Sequence, residues 1–192
     1  MPPVPNMHET KALPMTLSFP DARIEARRTG PLGMVHGVGS SMIRYVPGLS
    51  LRFGLDPEKG RQAVLPEQKA LLVDGDAPSA VARFSGNLGE LEYLDFTTPA
   101  LPYHTRPARR VLIVGGGGGS DVLLGLKHQA EDMVVLEANG QVADLMKGPF
   151  SEFSGNLYRR PEVRLEKREA RQYLHASKEK FDLIQLTLLD SF

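Results

Sequence analysis

The chain has 192 residues, of which 41% are hydrophobic and 24% charged, and its 23 basic residues balance its 23 acidic residues. This composition is typical of a soluble globular protein, and without net charge there is no general attraction to nucleic acid or to an anionic membrane. Because the chain has no cysteine, the sequence excludes disulfide bonds, thiolate metal sites and cysteine nucleophiles.

The first 20 residues predict a disordered lead-in. They contain five prolines and no apolar run, so they resemble neither a signal peptide nor a membrane span. Elsewhere no stretch of about 18 consecutive apolar residues occurs, which is the length that a membrane-spanning helix needs. We therefore expect a soluble, cytoplasmic protein, which the lack of cysteine also favours.

Residues 21–104 predict a small β-rich domain. Short stretches of alternating or apolar residues are separated by glycine and proline, as in hairpins and meanders. The polar segment 56–68 predicts a loop, Asp74-Gly75-Asp76 predicts a turn, and 88–96 predicts a short helix with a partial apolar stripe. The predicted strands are 23–27, 34–38, 43–46, 49–53 and 71–73.

Residues 105–192 predict a different architecture, in which strands and helices alternate. The strands are 111–114, 133–136, 163–166 and 181–189, and apolar residues at helical spacing mark helices between them. This alternation indicates an α/β fold with a Rossmann-like, doubly wound parallel sheet. Sheets of this kind normally continue beyond a fourth strand, so we expect this one to be incomplete within residues 105–192.

Five consecutive glycines, 115–119, follow the first strand of this unit. Glycine suits a tight turn where the backbone must approach a ligand. Gly115, Gly117 and Gly119 match the G-x-G-x-G spacing of sulfonium-nucleoside sites, whereas the dinucleotide spacing would require glycine at Ser120. The alternative, a flexible linker, is disfavoured because a strand precedes the run and a helix follows it.

Glu137 ends the second strand, 22 residues after Gly115. A carboxylate about 20 residues after the loop accepts hydrogen bonds from ribose hydroxyls in nucleotide-binding folds. We therefore predict that Glu137 binds the sugar of an adenosyl cofactor of the S-adenosylmethionine type. The alternative is a solvated glutamate at the end of a strand.

Acidic residues also follow the third and fourth strands, whose carboxyl ends face the same crevice. Glu169 and Ala170 are predicted to contact adenine, although Glu169 also suits a helix N-terminus. Asp190 is the candidate catalytic acid, with an ordinary turn aspartate as the alternative. The five histidines lack ligand spacing such as H-x-x-x-H, so no metal site is predicted.

With these residues in place, the chain resembles the spermidine synthase family of polyamine aminopropyltransferases. Residues 111–120 read VLIVGGGGGS, similar to the family's VLIIGGGDGG, and residues 136–137 resemble its ribose-binding V-E. Residues 160–163, 169–170 and 180–184 are similar to its D-P-R-V, its adenine-binding D-G or D-A, and its K-F-D-V-I. The resemblance implies a class I methyltransferase-like fold preceded by a small β domain.

Several family acids are missing. Gly118 stands where the family has the aspartate of the glycine loop, and Thr187 replaces the first aspartate of its D-S-S-D-P, of which Asp190 keeps the second. Residues 92–94 replace its Y-H-E. The residues of the family pattern that bind the cofactor are largely kept, and those that bind the amine are largely lost. The chain is thus closer to a divergent branch of spermidine-synthase-like domains, sometimes fused to membrane segments in large bacterial proteins.

The resemblance implies a transferase that binds S-adenosylmethionine or decarboxylated S-adenosylmethionine and moves an aminopropyl group to an unknown acceptor. A methyltransferase and a non-catalytic nucleoside-binding module are the alternatives, and a nicotinamide dehydrogenase is least favoured. We expect a small-molecule substrate, no nucleic acid partner and no membrane contact from this segment. Homo-oligomerisation, if it occurs, is expected through the N-terminal β region.

Overall fold

The structure is a computed structural model that describes residues 8–53 and 65–186. It contains an antiparallel sheet of four strands and a parallel sheet of four strands. Short helices lie between the strands of the parallel sheet. The α/β class and the Rossmann-like sheet preceded by a β-rich region are therefore confirmed.

The antiparallel sheet is a meander of β1 (Arg23–Gly30), β2 (Gly33–Gly39), β3 (Gln68–Val73) and β4 (Asp76–Ala82). The predicted turn joins β3 to β4, with φ of 51° at Asp74 and 76° at Gly75. Positive φ at both central residues is typical of a type I′ hairpin turn. β4 was not predicted, because Pro78 and its small neighbours do not resemble a strand, although an edge strand tolerates proline.

Two predicted strands, 43–46 and 49–53, are wrong, since neither segment is a strand in the structure. The amide of Tyr45 donates to the Gln68 side chain at 2.6 Å, where a strand would donate to a neighbouring backbone. Gly48, at a φ of 72°, turns the chain between the two segments, and Leu49 forms an isolated bridge with Thr97. Most of the predicted loop 56–68 lies outside the described residues.

A helix, α1 (Ala12–Leu17), lies within the segment for which the sequence predicts disorder. It is held by Leu13, which is buried in a small apolar cluster with Val38, Ile43, Ala70 and Leu72. The prolines of this segment favoured a prediction of disorder, and the sequence did not indicate that Leu13 would anchor a helix. Residues 1–7 lie outside the described part of the chain.

The segment between the sheets is largely helical. The helix predicted over 88–96 is present as a 3-10 helix, Leu88–Phe96, and the Asn87 side chain caps it by accepting from the amide of Gly89 at 2.9 Å. A short 3-10 turn, Thr98–Ala100, and α2 (Leu101–Thr105) follow. This segment leads the chain from β4 to the first strand of the parallel sheet.

The parallel sheet begins with β5 (Arg110–Val114), whose residues Val111, Leu112 and Ile113 are fully buried. The strand order across the sheet is β7 (Val163–Glu166), β6 (Asp132–Leu136), β5 and β8 (Leu183–Leu186), and it reverses at β5. In doubly wound sheets, ligands bind in the crevice at such a switch point. The elements are β5 (Arg110–Val114), α3 (Ser120–Lys127), β6 (Asp132–Leu136), α4 (Gly140–Lys147), β7 (Val163–Glu166), α5 (Ala170–Ala176) and β8 (Leu183–Leu186).

The fourth predicted strand, 181–189, is described as β8 over Leu183–Leu186, and residues 187–192 lie outside the described part. Within residues 8–53 and 65–186, no helix combines the length and apolar character that crossing a membrane requires.

The two sheets share one apolar core, which includes Val35 and Leu71 from the antiparallel sheet and Val142 and Phe150 from the α/β unit. At Gly37 in β2, a Cβ atom would lie 2.2 Å from the Phe150 ring, so the strand backbone rests directly on this ring. The contact fixes the antiparallel sheet above the carboxyl ends of β5 and β6.

We predict that Phe150→Ala destabilises the protein by about 3–5 kcal/mol, because Phe150 is 1% exposed and its ring fills the space between the two units. Urea unfolding at equilibrium measures this change. Leu51→Ala is the control, since Leu51 is 89% exposed and its truncation should change the free energy of unfolding by less than about 0.5 kcal/mol. Equal effects of the two substitutions would contradict this packing.

Candidate functional site

The glycine run forms an ordered turn that leads from β5 into α3. Gly115, Gly117 and Gly119 have φ of 85°, 47° and 93°, and Gly119 is the N-cap residue of α3. Other residues adopt this left-handed region at a cost, so the alternating glycines are required by the turn itself. The loop wraps into the start of a helix, unlike a flexible linker.

The remaining two glycines of the loop are required by close contacts. A Cβ at Gly116 would lie 2.7 Å from the Tyr158 hydroxyl, and one at Gly118 would lie 2.0 Å from the carbonyl oxygen of Ala80 in β4. The amide of Gly118 donates to the Ser79 hydroxyl at 2.8 Å. The loop is therefore packed between the α/β unit and the edge strand of the antiparallel sheet.

Glu137 follows β6 and turns its carboxylate toward the glycine loop. Its Oε2 accepts from the amide of Gly117 at 2.8 Å, and its Oε1 accepts from the amide of Asn139 at 2.8 Å. The residue is 9% exposed, so it is not a solvated strand-end glutamate. Burial raises the pKa of Glu137, the two amides oppose that rise, and the negative charge of Glu169 adds a smaller upward effect.

A cavity of about 270 Å³ lies between the glycine loop and the antiparallel sheet. It is close to the lower end of the size range of small-molecule sites, about 300–1,000 Å³. The described lining includes two carboxylates, Asp121 and Glu137, and no lysine, arginine or histidine. Its uncharged polar residues include Tyr45, Gln68, Ser79, Tyr93, Thr97, Ser120 and Asn139.

Asp121 is held in place by a chain of buried hydrogen bonds. The Tyr103 hydroxyl donates to Oε1 of Gln185 at 2.8 Å, and Nε2 of Gln185 donates to Oδ1 of Asp121 at 2.9 Å. Gln185 is 5% exposed in the middle of β8. Because the amide oxygen receives the tyrosine proton, its nitrogen faces Asp121, and this orientation stabilises an ionised carboxylate.

The predicted site residues divide into four groups. Gly115, Gly117 and Glu137 line the cavity. Gly119 lies behind it, where a Cβ would meet Leu157 at 2.3 Å. Glu169 and Ala170 lie at the start of α5, outside the cavity lining, with Glu169 exposed as its N-cap residue. Asp190 lies outside the described residues.

Several residues of the site were not found by sequence reasoning. The Tyr158 hydroxyl donates to the carbonyl oxygen of Gly116 at 2.6 Å, and burial raises its pKa well above the usual value. Ser79 and Asp121 are further examples, because Ser79 accepts from the loop and both residues line the cavity. The sequence held a signal for Asp121, which is an acid two positions after the last glycine of the loop, whereas Tyr158 is 42 positions from its partner Gly116.

Residues 98–192 match the family model described as the spermine/spermidine synthase domain. The polyamine aminopropyltransferase of Korarchaeum cryptofilum is 30% identical over 83 residues, which is 43% of this chain and 26% of that protein. Polyamine aminopropyltransferase 2 of Hyperthermus butylicus is 29% identical over 124 residues, or 64% of this chain and 38% of that protein. The chain therefore spans well under half the length of these relatives.

Solved structures show the same fold. A spermidine synthase in complex with the transition-state analogue AdoDATO has a TM-score of 0.52 and 18% sequence identity, over 84% of this chain and 46% of that one. The spermidine synthase from Thermotoga maritima has a TM-score of 0.54 and 16% identity, with the same coverage.

We predict that Gly118→Ala destabilises the protein by about 1–3 kcal/mol, because the new methyl group would overlap the Ala80 carbonyl and push β4 away from the loop. Thermal or urea unfolding measures the change. Gly140→Ala is the matched control, since a Cβ there meets its nearest atom at 3.8 Å, and it should cost less than about 0.5 kcal/mol. If both variants were as stable as the native protein, the contact of β4 with the loop would be disproved.

Proposed function

We propose that this chain, whose residues 98–192 match the spermine/spermidine synthase domain model, binds decarboxylated S-adenosylmethionine for aminopropyl transfer to an acceptor amine. The observation that carries the proposal is the charge of the cavity beside the glycine loop. Its described lining has two carboxylates and no cationic side chain. Such a cavity favours a ligand with positive charge and no carboxylate of its own.

The residues present fit an adenosyl group. The glycine loop offers backbone without side chains next to the cavity, and Glu137 lies beside it. Each Glu137 oxygen accepts one amide, and a carboxylate has about four acceptor positions. The remaining positions are available to the two ribose hydroxyls. Glu169 and Ala170 are the proposed neighbours of the adenine.

Asp121 would distinguish decarboxylated S-adenosylmethionine from S-adenosylmethionine. The decarboxylated form carries a sulfonium and a primary ammonium, whereas S-adenosylmethionine adds a carboxylate next to that ammonium. Opposite charges about 4 Å apart attract by about 4 kcal/mol near a protein surface, and like charges repel by as much. An anionic Asp121 in a cavity whose described lining has no cationic side chain therefore favours the decarboxylated nucleoside.

The donor supplies a carbon bonded to a positively charged sulfur, which makes the sulfur a good leaving group. The acceptor nitrogen forms a bond to that carbon, the carbon–sulfur bond breaks, and its electron pair stays on sulfur as a neutral thioether. The nitrogen then releases one proton to a base. We propose that the carboxylate of Asp190, which lies outside the described residues, is this base.

A non-catalytic nucleoside-binding module is the second candidate, and one observation favours it. The family has an aspartate in the glycine loop where this chain has Gly118, and the Ala80 carbonyl occupies the space that a side chain there would need. An acceptor site that depends on that aspartate cannot form in the same way. Turnover by a full-length protein containing this chain, with any amine, would refute this second candidate.

We predict that the native chain binds decarboxylated S-adenosylmethionine at least about tenfold more tightly than S-adenosylmethionine, and that Asp121→Asn removes most of this preference. The asparagine can still accept from Gln185, so the change removes charge with little change in shape. Isothermal titration calorimetry measures both affinities.

Asp144→Asn is the control for loss of an acid, because Asp144 pairs with Lys167 on the surface, away from the cavity. It should leave the preference unchanged. If the native chain bound S-adenosylmethionine more tightly than the decarboxylated form, that result would contradict aminopropyl transfer and favour a methyltransferase.

We also predict that affinity for the neutral product nucleoside, 5′-methylthioadenosine, falls as the pH is lowered through the raised pKa of Glu137. Protonation converts one carboxylate acceptor into a donor, and a pKa above the ordinary value of 4.5 moves this loss to higher pH. Glu137→Gln should bind at least about tenfold more weakly, without this pH dependence. Unaltered binding by Glu137→Gln, with native circular dichroism, would remove Glu137 from the ribose site.

A further inference from the structure

Three potential metal ligands meet on the surface of α3, away from the cavity lining. They are Asp95 from the 3-10 helix Leu88–Phe96, His104 from α2 and His128 at the C-terminal end of α3. Their ligand atoms all lie within 4.8 Å of one another. The three residues are far apart in sequence, so no spacing motif indicated them.

The distances are close to those of a metal site. Oδ1 of Asp95 lies 2.8 Å from Nε2 of His128 and 3.7 Å from Nε2 of His104. Zinc bonds to nitrogen and oxygen measure about 2.0–2.2 Å, so ligands at tetrahedral angles are roughly 3.4 Å apart. Shifts of less than about 1.5 Å would bring all three atoms around one ion.

The neighbouring side chains hold these ligands in place. The ring of Tyr103 stacks on His128 at a centroid distance of 4.9 Å and an interplanar angle of 20°. The other oxygen of Asp95, Oδ2, accepts from the Lys127 ammonium at 3.1 Å. Outer-shell contacts of this kind orient a ligating carboxylate while leaving its other oxygen to the metal.

We propose that Asp95, His104 and His128 form a binding site for a late first-row divalent cation of the Zn²⁺ type, with water as the fourth ligand. Two imidazoles and one carboxylate suit such ions better than Mg²⁺ or Ca²⁺, which prefer oxygen. The ion would join the 3-10 helix, α2 and α3, and thus brace the segment that carries Tyr93 and Thr97 of the cavity lining. The site does not depend on the proposed transferase activity.

The test is Zn²⁺ binding to the chelator-treated full chain, followed by isothermal titration calorimetry. We expect one ion per chain and a rise in the thermal midpoint on binding. Co²⁺ in the same site should give the intense visible absorption of a four-coordinate nitrogen and oxygen site. Absence of saturable binding would overturn the proposal.

Variants separate this site from other surface groups. His104→Ala and Asp95→Asn should each weaken Zn²⁺ binding at least about tenfold. His175→Ala removes an exposed histidine at the end of α5 and should leave binding unchanged. Equal binding by all of these variants would mean adventitious ions only, and would contradict the proposal.

Discussion

The hydrogen bond from the Gly117 amide to the Glu137 carboxylate is the contact on which the candidate site depends. It joins the ends of β5 and β6, two adjacent parallel strands, at the point where the sheet order reverses. A glycine loop has no side chains with which to fix its own position. The loop therefore takes its shape from Glu137, from the Tyr158 hydroxyl on one side and from Ser79 on the other.

The parts of this arrangement that the sequence predicted are local. The apolar run of β5, the glycines after it and the acid that ends β6 lie within one strand–helix–strand unit, so spacing along the chain was sufficient. The parts that it missed depend on contacts distant in sequence. Nothing near Tyr158 indicates that its hydroxyl reaches Gly116, and Pro78 concealed the strand that carries Ser79. The strands predicted within 43–53 are absent for a related reason. The side chain of Gln68 in β3 accepts from the Tyr45 amide, which a strand would have donated to a neighbouring backbone.

The structure also explains how the glycine loop can lack the aspartate of the spermidine synthase pattern that residues 111–120 resemble. With glycine at 118, β4 lies close enough for Ser79 to accept from the loop amide. The cavity keeps an acid nearby in Asp121, three positions later, oriented through Gln185 by a tyrosine of α2. Negative charge is therefore present in the cavity but comes from a different backbone position.

The Ser79 contact has a consequence for how the two halves of the molecule communicate. The amide of Gly118 donates to Ser79 in β4 of the antiparallel sheet, whereas the amide of Gly117 donates to Glu137, which follows β6 of the parallel sheet. A ligand that displaces the loop toward either sheet must therefore alter one of these hydrogen bonds, so ligand binding and the packing of the two sheets are energetically linked. Exchange of these two neighbouring amide protons with solvent would report that linkage from both sides at once.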